Sequence, residues 1–417
     1  MKRDASLSPP PIKRRRLHAA GAKEEQAPPS QPPPQTSTPQ QQQQQQQQRP
    51  TIRIVSWNIN GLQPFIPASA APITSYFKPI RSPDEASSVT PADHGQHHNS
   101  SSLRAFLSRH NWPEVLFLQE LKISPTSASR ISAALSATLN TPLGPDDEVT
   151  PRNSYTVDMV PPRDRFNARG FGGRLYGVGT LLRTDFARRH VARVRDVDWD
   201  LEGRVSVVET RPASSTGRPP ALINVYAVNG TSAPYKNPRT GKVEGKTRHD
   251  HKLAFHSRLR DEALALEGRG FDVVIAGDMN VARGVLDGHP HLRTFPEQHR
   301  RNRADFNAKF FGREDNERAR AYVDVEQGAP APEAGEAGER KCFDGVDVFR
   351  ALHGGERRYT YHPRGKTWGS SADRVDLIVV SNRLWEGGLV RGTGIMDSPQ
   401  ERGSSDHVPL WVEVAIG

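Results

Sequence analysis

From Thr51 onward the chain alternates short apolar runs with polar or glycine-containing breaks, and most of the runs are too short to be helices. Ile52, Ile54, Val55 and Trp57 predict a strand that begins at Thr51 and ends at Asn58. Val115-Leu116-Phe117-Leu118 reads as a buried strand. Further strands are expected at Ser154–Val160, Val178–Leu182, Val205–Glu209, Leu222–Ala227, Val273–Ala276, Val375–Val380 and Leu410–Val414. Helical spacing appears at Ser101–His110, where Leu103, Phe106 and Leu107 share a face, and again at Thr126–Leu139, His249–Leu266 and Ala304–Phe311. This mixture predicts an α/β or α+β domain, and two sheets packed together with helices outside would cover every apolar face.

The remaining segments follow a different pattern. Residues 1–50 are rich in proline, end in an unbroken glutamine run from Gln40 to Gln48, and offer too little apolar surface to offset the entropy of ordering. A disordered tail is expected there, and polar insertions are expected near 64–100 and 312–341. The catalytic domain would then occupy 51–417. Within the tail, Lys2-Arg3 and Lys13 to Arg16 form two basic clusters with the spacing of a bipartite nuclear-localisation signal. A nuclear location and an import receptor as partner are therefore expected.

Charge and composition narrow the class. The formal charge is +10, of which the first 50 residues supply half, so an acidic partner such as nucleic acid is plausible but not specified. Cys342 is the only cysteine, which excludes an internal disulfide framework and a multi-cysteine zinc site. No run of 18 apolar residues occurs and the N-terminus lacks an apolar leader, so no membrane association is expected. Gly170 to Gly179 is glycine-rich but lacks the Lys-Ser/Thr ending of a phosphate loop, and it reads as a turn.

The chemistry sits where the strands end. Asn58 and Asn60 follow the first strand, Glu120 and Lys122 follow Leu118, and Tyr226 and Asn229 follow Ile223. Asp278 and Asn280 follow Ile275, Asp376 opens one late strand, and Asp406-His407 precedes the last. Gathered at one sheet edge, these groups suit phosphodiester hydrolysis. Carboxylate and amide oxygens from Glu120, Asn58 and Asp406 could bind Mg²⁺. Asp278 could deprotonate a water oriented by Asn280. His407, held by Asp376, could donate to charge developing on phosphate. Taken singly, each of these residues is equally at home capping a turn or facing solvent.

Taken together, the segments resemble the exonuclease III-type apurinic/apyrimidinic (AP) endonucleases of the endonuclease/exonuclease/phosphatase superfamily. The resemblance rests on Ser56-Trp57-Asn58-Ile59-Asn60-Gly61-Leu62, Leu118-Gln119-Glu120-Leu121-Lys122, Gly277-Asp278-Met279-Asn280, Arg374-Val375-Asp376 and Ser405-Asp406-His407. It implies a DNase I-like four-layer α/β sandwich, with two packed mixed sheets flanked by helices. It also implies that Glu120, Asn58 and Asp406 bind Mg²⁺, with Mn²⁺ able to substitute. The same resemblance assigns catalysis to Asp278, Asn280, His407, Asp376, Tyr226 and Asn229. Asn60 and Lys122 would bind substrate, and Tyr361 and Trp368 are the nearest aromatics for lining a base-less sugar pocket. The expected substrate is double-stranded DNA with abasic or 3′-blocked sites, cut by a monomer acting in base excision repair.

Two departures weaken the substrate assignment more than the chemistry. Tyr226-Ala227-Val228-Asn229 replaces the usual Tyr-x-Pro-Asn segment and is followed by an inserted basic loop, Tyr235 to Arg248. Ser371-Ala372-Asp373 stands where repair enzymes tend to carry Trp or Leu. A general 3′ exonuclease, or a DNA/RNA phosphodiesterase without abasic preference, is the alternative, and a catalytically silent nucleic-acid-binding scaffold is the reading from another class.

Overall fold

The computed structural model describes residues 49–66 and 102–416, apart from 125, 127, 169, 171–172, 213–216 and 313–341. The basic clusters expected to direct nuclear import, and nearly all of both long insertions, lie outside these residues.

In chain order the strands are β1 (Thr51–Asn58), β2 (Val115–Gln119), β3 (Tyr155–Val160), β4 (Val178–Arg183), β5 (Val191–Asp196), β6 (Val205–Thr210), β7 (Pro220–Tyr226), β8 (Pro234–Lys236) and β9 (Val243–Thr247). They continue with β10 (Asp272–Asp278), β11 (Gly288–His289), β12 (Gly345–Asp347), β13 (Ala372–Asp373), β14 (Asp376–Ser381), β15 (Val390–Ile395) and β16 (Leu410–Ala415). One six-stranded sheet runs β15-β16-β1-β2-β4-β3, and a second runs β12-β14-β10-β7-β6-β5. Both sheets are mixed: β1–β2 and β7–β10 are their parallel pairs, and the other pairings are antiparallel.

Strand alternation explains the layers. In β1, Ile52 and Ile54 point inward to meet Val208, Leu222, Val274 and Ile378 of the opposite sheet, whereas Val55 and Trp57 point outward. In β10, Val274 and Ala276 point inward while Val273 and Ile275 point outward. Both outward faces are covered by helices. Helices α1 (Leu103–Arg109) and α2 (Ala128–Asn140) bring Phe106, Leu107, Leu135 and Leu139 to the first sheet. Two more helices, α3 (Arg248–Gly268) and α4 (Gln298–Phe310), bring Phe255, Leu259 and Phe306 to the second. Because both faces of the central strands are buried, they read in the sequence as unbroken apolar runs. The result is the four-layer arrangement expected. No helix among the described residues is long and apolar enough to cross a membrane.

The nine expected strands are present, with ends displaced by at most two residues. The edge strands β5, β12 and β15 were not anticipated. Strands β5 and β15 are half-exposed and carry Arg193, Arg195 and Arg391 where a core strand would carry aliphatics, which is how sheet edges resist pairing with other chains, whereas β12 is buried but only three residues long. Helix α4 begins six residues earlier than its apolar residues suggest, because its first turns, from Gln298 to Arg303, are polar.

Candidate active site

The two parallel strand pairs deliver their C-terminal residues to one edge. Asn58 of β1 is level with Gln119 of β2, and Asp278 of β10 is level with both Tyr226 of β7 and Asp376 of β14. Beyond each strand end the backbone turns sharply. Asn60, Glu120, Lys122 and Asn280 all have φ between 51° and 58°, the left-handed region that non-glycine residues seldom occupy. Such conformations cost on the order of 1 kcal/mol or more each, and they persist where surrounding structure holds a side chain to a task. Gly277, at φ +148°, is required for a different reason: a Cβ there would lie 1.9 Å from the carbonyl oxygen of Val225.

Asp278 lies at the centre of this edge. Its Oδ1 accepts from the Asn280 backbone N–H at 2.8 Å, and its Oδ2 accepts from Nδ2 of Asn58 at 3.0 Å and of Asn280 at 3.2 Å. Burial, and next the charge of Asp376, push its carboxyl up to about 7. His407 Nδ1 is 2.7 Å from Asp376 Oδ2. Burial alone would lower the His407 pKa, but the charge and hydrogen bond of Asp376, followed by Asp278 and Asp406, outweigh it and raise the group to about 10. His407 is therefore an imidazolium at neutral pH, a donor rather than a base. Its 3.5 Å contact with Asn58 Nδ2 then joins two donors and is not counted as a hydrogen bond.

The histidine is fixed from every side. Its backbone N–H donates to Ser405 Oγ at 3.0 Å, its carbonyl accepts from Trp57 Nε1 at 3.0 Å, and Ser405 Oγ donates to the Asn58 carbonyl at 2.6 Å. The ring of Tyr361 lies 5.0 Å from the imidazole.

A second group carries oxygen donors. Glu120 and Asp406 both line the cavity. Lys122 Nζ lies 2.9 Å from Glu120 Oε1 and donates to Asn60 Oδ1, while Asn60 Nδ2 donates to Asp406 Oδ1 at 2.6 Å. Asn58 Nδ2 bridges to Glu120 Oε2 at 3.1 Å, which couples this group to Asp278. Its Oδ1 is taken by the Asn60 backbone N–H at 3.0 Å, so Asn58 presents its nitrogen, not its oxygen, to the carboxylates.

The cavity has a volume of about 590 Å³, within the range of sites that enclose a small ligand. Tyr226, Asn229, Asn280, Tyr361 and His407 line it with the carboxylates. The guanidinium of Arg204 lies 4.8 Å from the Tyr226 ring centroid and donates to the Tyr226 carbonyl at 3.2 Å. Burial, and next the charge of Glu120, hold the Tyr226 phenol well above the usual tyrosine range, so it stays protonated and can donate.

Two clusters could be considered for a cation. Ligand atoms of Asp278, Asp376 and His407 lie within 4.8 Å of one another. That set does not fit, because Asp376 is hydrogen-bonded to His407 and a charged imidazole has no lone pair to give. Glu120 and Asp406 fit better: they are hard oxygen donors on the cavity wall, the type Mg²⁺ and Mn²⁺ prefer.

Of the expected site residues, Trp368 is set apart. Its ring stacks on His362 at 3.8 Å, with the guanidinium of Arg402 5.1 Å from its centroid, and it does not line the cavity. Tyr361 does line it, together with Asp373, whose carboxylate pairs with Arg293 at 2.7 Å. Other contributors went unnoticed in the sequence. Lys252 of α3 is buried and donates to the Asn280 carbonyl at 2.8 Å, and burial brings its ammonium down to about 7. A signal for it existed: Lys252 falls in register with the stripe of Phe255, Leu259, Ala263 and Leu266 that packs on the sheet.

A buried carboxylate beside an imidazolium, with further carboxylates on the wall of the same polar cavity, suits a phosphoester-hydrolase site on a two-sheet α/β fold. The sequence model of the Endonuclease/Exonuclease/phosphatase family matches residues 55–407, and the chain belongs to that family. It is a hydrolytic enzyme of that family. Among solved structures it is similar to the APE2 catalytic domain of Xenopus laevis, at 17% identity and a TM-score of 0.52 over 88% of this chain and 93% of that one. It is also similar to the AP endonuclease LMAP of Leishmania major, at 17% identity and a TM-score of 0.53 over 88% of this chain and 89% of that one. These likenesses are of fold. No curated protein sequence matches the chain.

Proposed function

We propose that the chain is a Mg²⁺-dependent DNA phosphodiesterase that incises at abasic sites and trims blocked or unblocked 3′ ends in base excision repair, with Mn²⁺ able to replace Mg²⁺. The observation that carries this reading is the Asp278 carboxylate, hydrogen-bonded by Asn58 and Asn280 and adjoining the His407–Asp376 pair at the floor of the cavity. In its ionised form Asp278 takes a proton from a water molecule that the amide oxygen of Asn280 orients. As the water oxygen bonds to phosphorus, the opposite P–O ester bond breaks and the departing alkoxide takes up a proton from solvent. The imidazolium of His407, the phenol of Tyr226 and the amide of Asn229 donate to the phosphate oxygens as negative charge builds. Glu120 and Asp406 would hold the cation, whose charge neutralises the phosphate and the departing oxygen when bound. Asn58 joins them as a ligand only if its amide turns over.

The name of the Leishmania major protein, an AP endonuclease, supports abasic DNA as substrate. One observation favours the alternative, a 3′ exonuclease or general phosphodiesterase without abasic preference. The Asp373–Arg293 ion pair makes polar a wall that would need to be apolar to exclude bases. A panel of abasic, 3′-blocked and intact duplexes and RNA, each with Mg²⁺ and with EDTA, separates the two. Faster incision of the abasic duplex than of any intact end supports repair; equal rates support the exonuclease; activity in EDTA removes the metal from the mechanism. The basic clusters Lys2-Arg3 and Lys13 to Arg16 support a nuclear location through an import receptor. Deleting residues 1–50 would then abolish nuclear accumulation.

A further inference from the structure

The inserted segment that follows Asn229 takes no part in the chemistry above, yet it is built and anchored. Strands β8 and β9 pair as an antiparallel hairpin, with Pro234 opposite Thr247 and Lys236 opposite Val243. Its tip is closed by Asn237, whose Oδ1 accepts from the backbone N–H groups of Arg239 at 2.9 Å and Thr240 at 3.1 Å. Gly241, at φ +73°, lets the tip press on the ring of Phe166, since a Cβ there would sit 2.7 Å from Cε1. Asn167 clamps the near strand, donating to the Lys236 carbonyl at 2.7 Å and accepting from its N–H at 3.0 Å.

The hairpin is also joined firmly to the catalytic edge. Thr247 caps helix α3 through a reciprocal pair with Asp250, and the same helix sends Lys252 to Asn280. At the base of the hairpin, Tyr235 stacks on His251 at 4.2 Å, and Arg248 donates to both oxygens of buried Glu202. Thr231, Ala233, Pro234, Lys236 and Arg248 line the cavity, so the hairpin forms part of its wall.

Its outer surface is strongly basic. Arg239, Lys242 and Lys246 are exposed, as is Lys236 at the rim, and none has a carboxylate within ion-pair distance among the described residues. Glu244 is the only acidic residue between Pro234 and Thr247. An anchored hairpin with an excess of cations over Glu244 and the neighbouring Asp250, beside the cavity, complements a polyanion whose charges repeat along its length.

We propose that the β8–β9 hairpin grips the polynucleotide backbone, with Arg239, Lys242 and Lys246 neutralising phosphates that flank the one in the cavity. This rests on the reading that the substrate is a polynucleotide, and it assigns the inserted hairpin to affinity rather than to turnover. Contacts of this kind are independent of sequence and of damage, and they release counterions, so they appear in the salt dependence of binding.

The test is binding without turnover: fluorescence anisotropy of a labelled DNA duplex in EDTA, over a salt series, with the full chain. The triple variant Arg239→Ser/Lys242→Ser/Lys246→Ser should bind about tenfold or more weakly at roughly 0.1 M salt, and its plot of log affinity against log salt should be shallower by about 2 to 3. Glu244→Gln, which keeps the acceptor for Asn237 but removes the charge, should tighten binding. Thermal melting checks that each variant is folded. Unchanged isotherms and salt slope in the triple variant would overturn the proposal. Salt-sensitive DNA binding by a native protein that cleaves no DNA with Mg²⁺ or Mn²⁺ would instead overturn the reading of the site.

Discussion

At the scale of single residues, Glu120 and the His407–Asp376 pair make separable contributions. Glu120 faces the cavity at a strained backbone position, where its carboxylate meets Lys122 and Asn58. Glu120→Gln keeps the shape but removes the charge. Turnover at low Mg²⁺ should fall by orders of magnitude, corresponding to roughly several kcal/mol of lost metal-dependent stabilisation, with recovery at high metal concentration. Steady-state kinetics across a Mg²⁺ series would show it, and a loss independent of metal would remove Glu120 from the cation site. Asp376 is fully buried and its carboxylate is hydrogen-bonded to His407, so it is a positioning residue, although its charge also acts on Asp278. A double mutant of Asp376→Asn and His407→Ala should be scarcely slower than His407→Ala alone. Additive losses would mean that Asp376 acts by another route.

At the scale of elements, the strands that carry the site are held by charge as well as by apolar packing. Arg374, between β13 and β14, donates through Nε to Asp287 at 2.8 Å and through its terminal nitrogens to Asp347 at 3.1 and 2.7 Å. Arg283 and Arg350 add contacts of 2.9 Å to Asp347 and 2.6 Å to Asp287. Opposed by burial, these guanidiniums still hold both carboxyls below the usual range. Arg374→Met leaves two buried carboxylates short of a partner and should cost about 3–5 kcal/mol, measurable by urea unfolding. A loss below about 1 kcal/mol would show that Arg283 and Arg350 suffice.

The same scale shows what the sequence could tell. The central strands were legible because burial on both faces demands continuous aliphatics, and their ends were legible because Asn60 and Asn280, a residue type that tolerates left-handed turns, stand beside the cavity's carboxylates. The edge strands β5 and β15 were not, since they have only one face to bury and arginine serves on the other, and β12 was not because three residues are too few to show a pattern. The role of Trp368 was also beyond reach. Whether an aromatic lines a cavity or stacks on His362 depends on a loop path that no local pattern encodes. Asn58 was found, but the direction of its amide is set by the N–H of Asn60 and by two acceptors from distant segments, Glu120 and Asp278.

At the scale of the whole molecule, site chemistry and folding stability are linked through pH. The Asp278 pKa is raised to about 7 against roughly 3.9 in an unfolded chain, so its protonated form is favoured by folding. That contribution is fully present below about 3.9 and is lost as pH rises through 7. His407, raised to about 10, contributes fully below roughly 6.5 and loses its contribution only as pH rises through 10. Asp287 and Asp347 have the opposite sign: their depressed pKa values stabilise the fold above about 3.9 and cease to do so as pH falls through them. The metal-free protein should therefore be most stable near pH 4 and lose stability as pH rises toward 7 and beyond. A cation at Glu120 and Asp406 changes the alkaline side, because Asn58 joins Glu120 to Asp278 and nearby positive charge favours the ionised carboxylate. Mg²⁺ should accordingly raise the melting temperature more at pH 8 than at pH 5.5, where protonation of the site competes with binding. The acid limb of kcat/KM should move below pH 7 as Mg²⁺ increases. Equal stabilisation at both pH values, with an immobile acid limb, would place the cation too far from Asp278 to influence the proton it accepts.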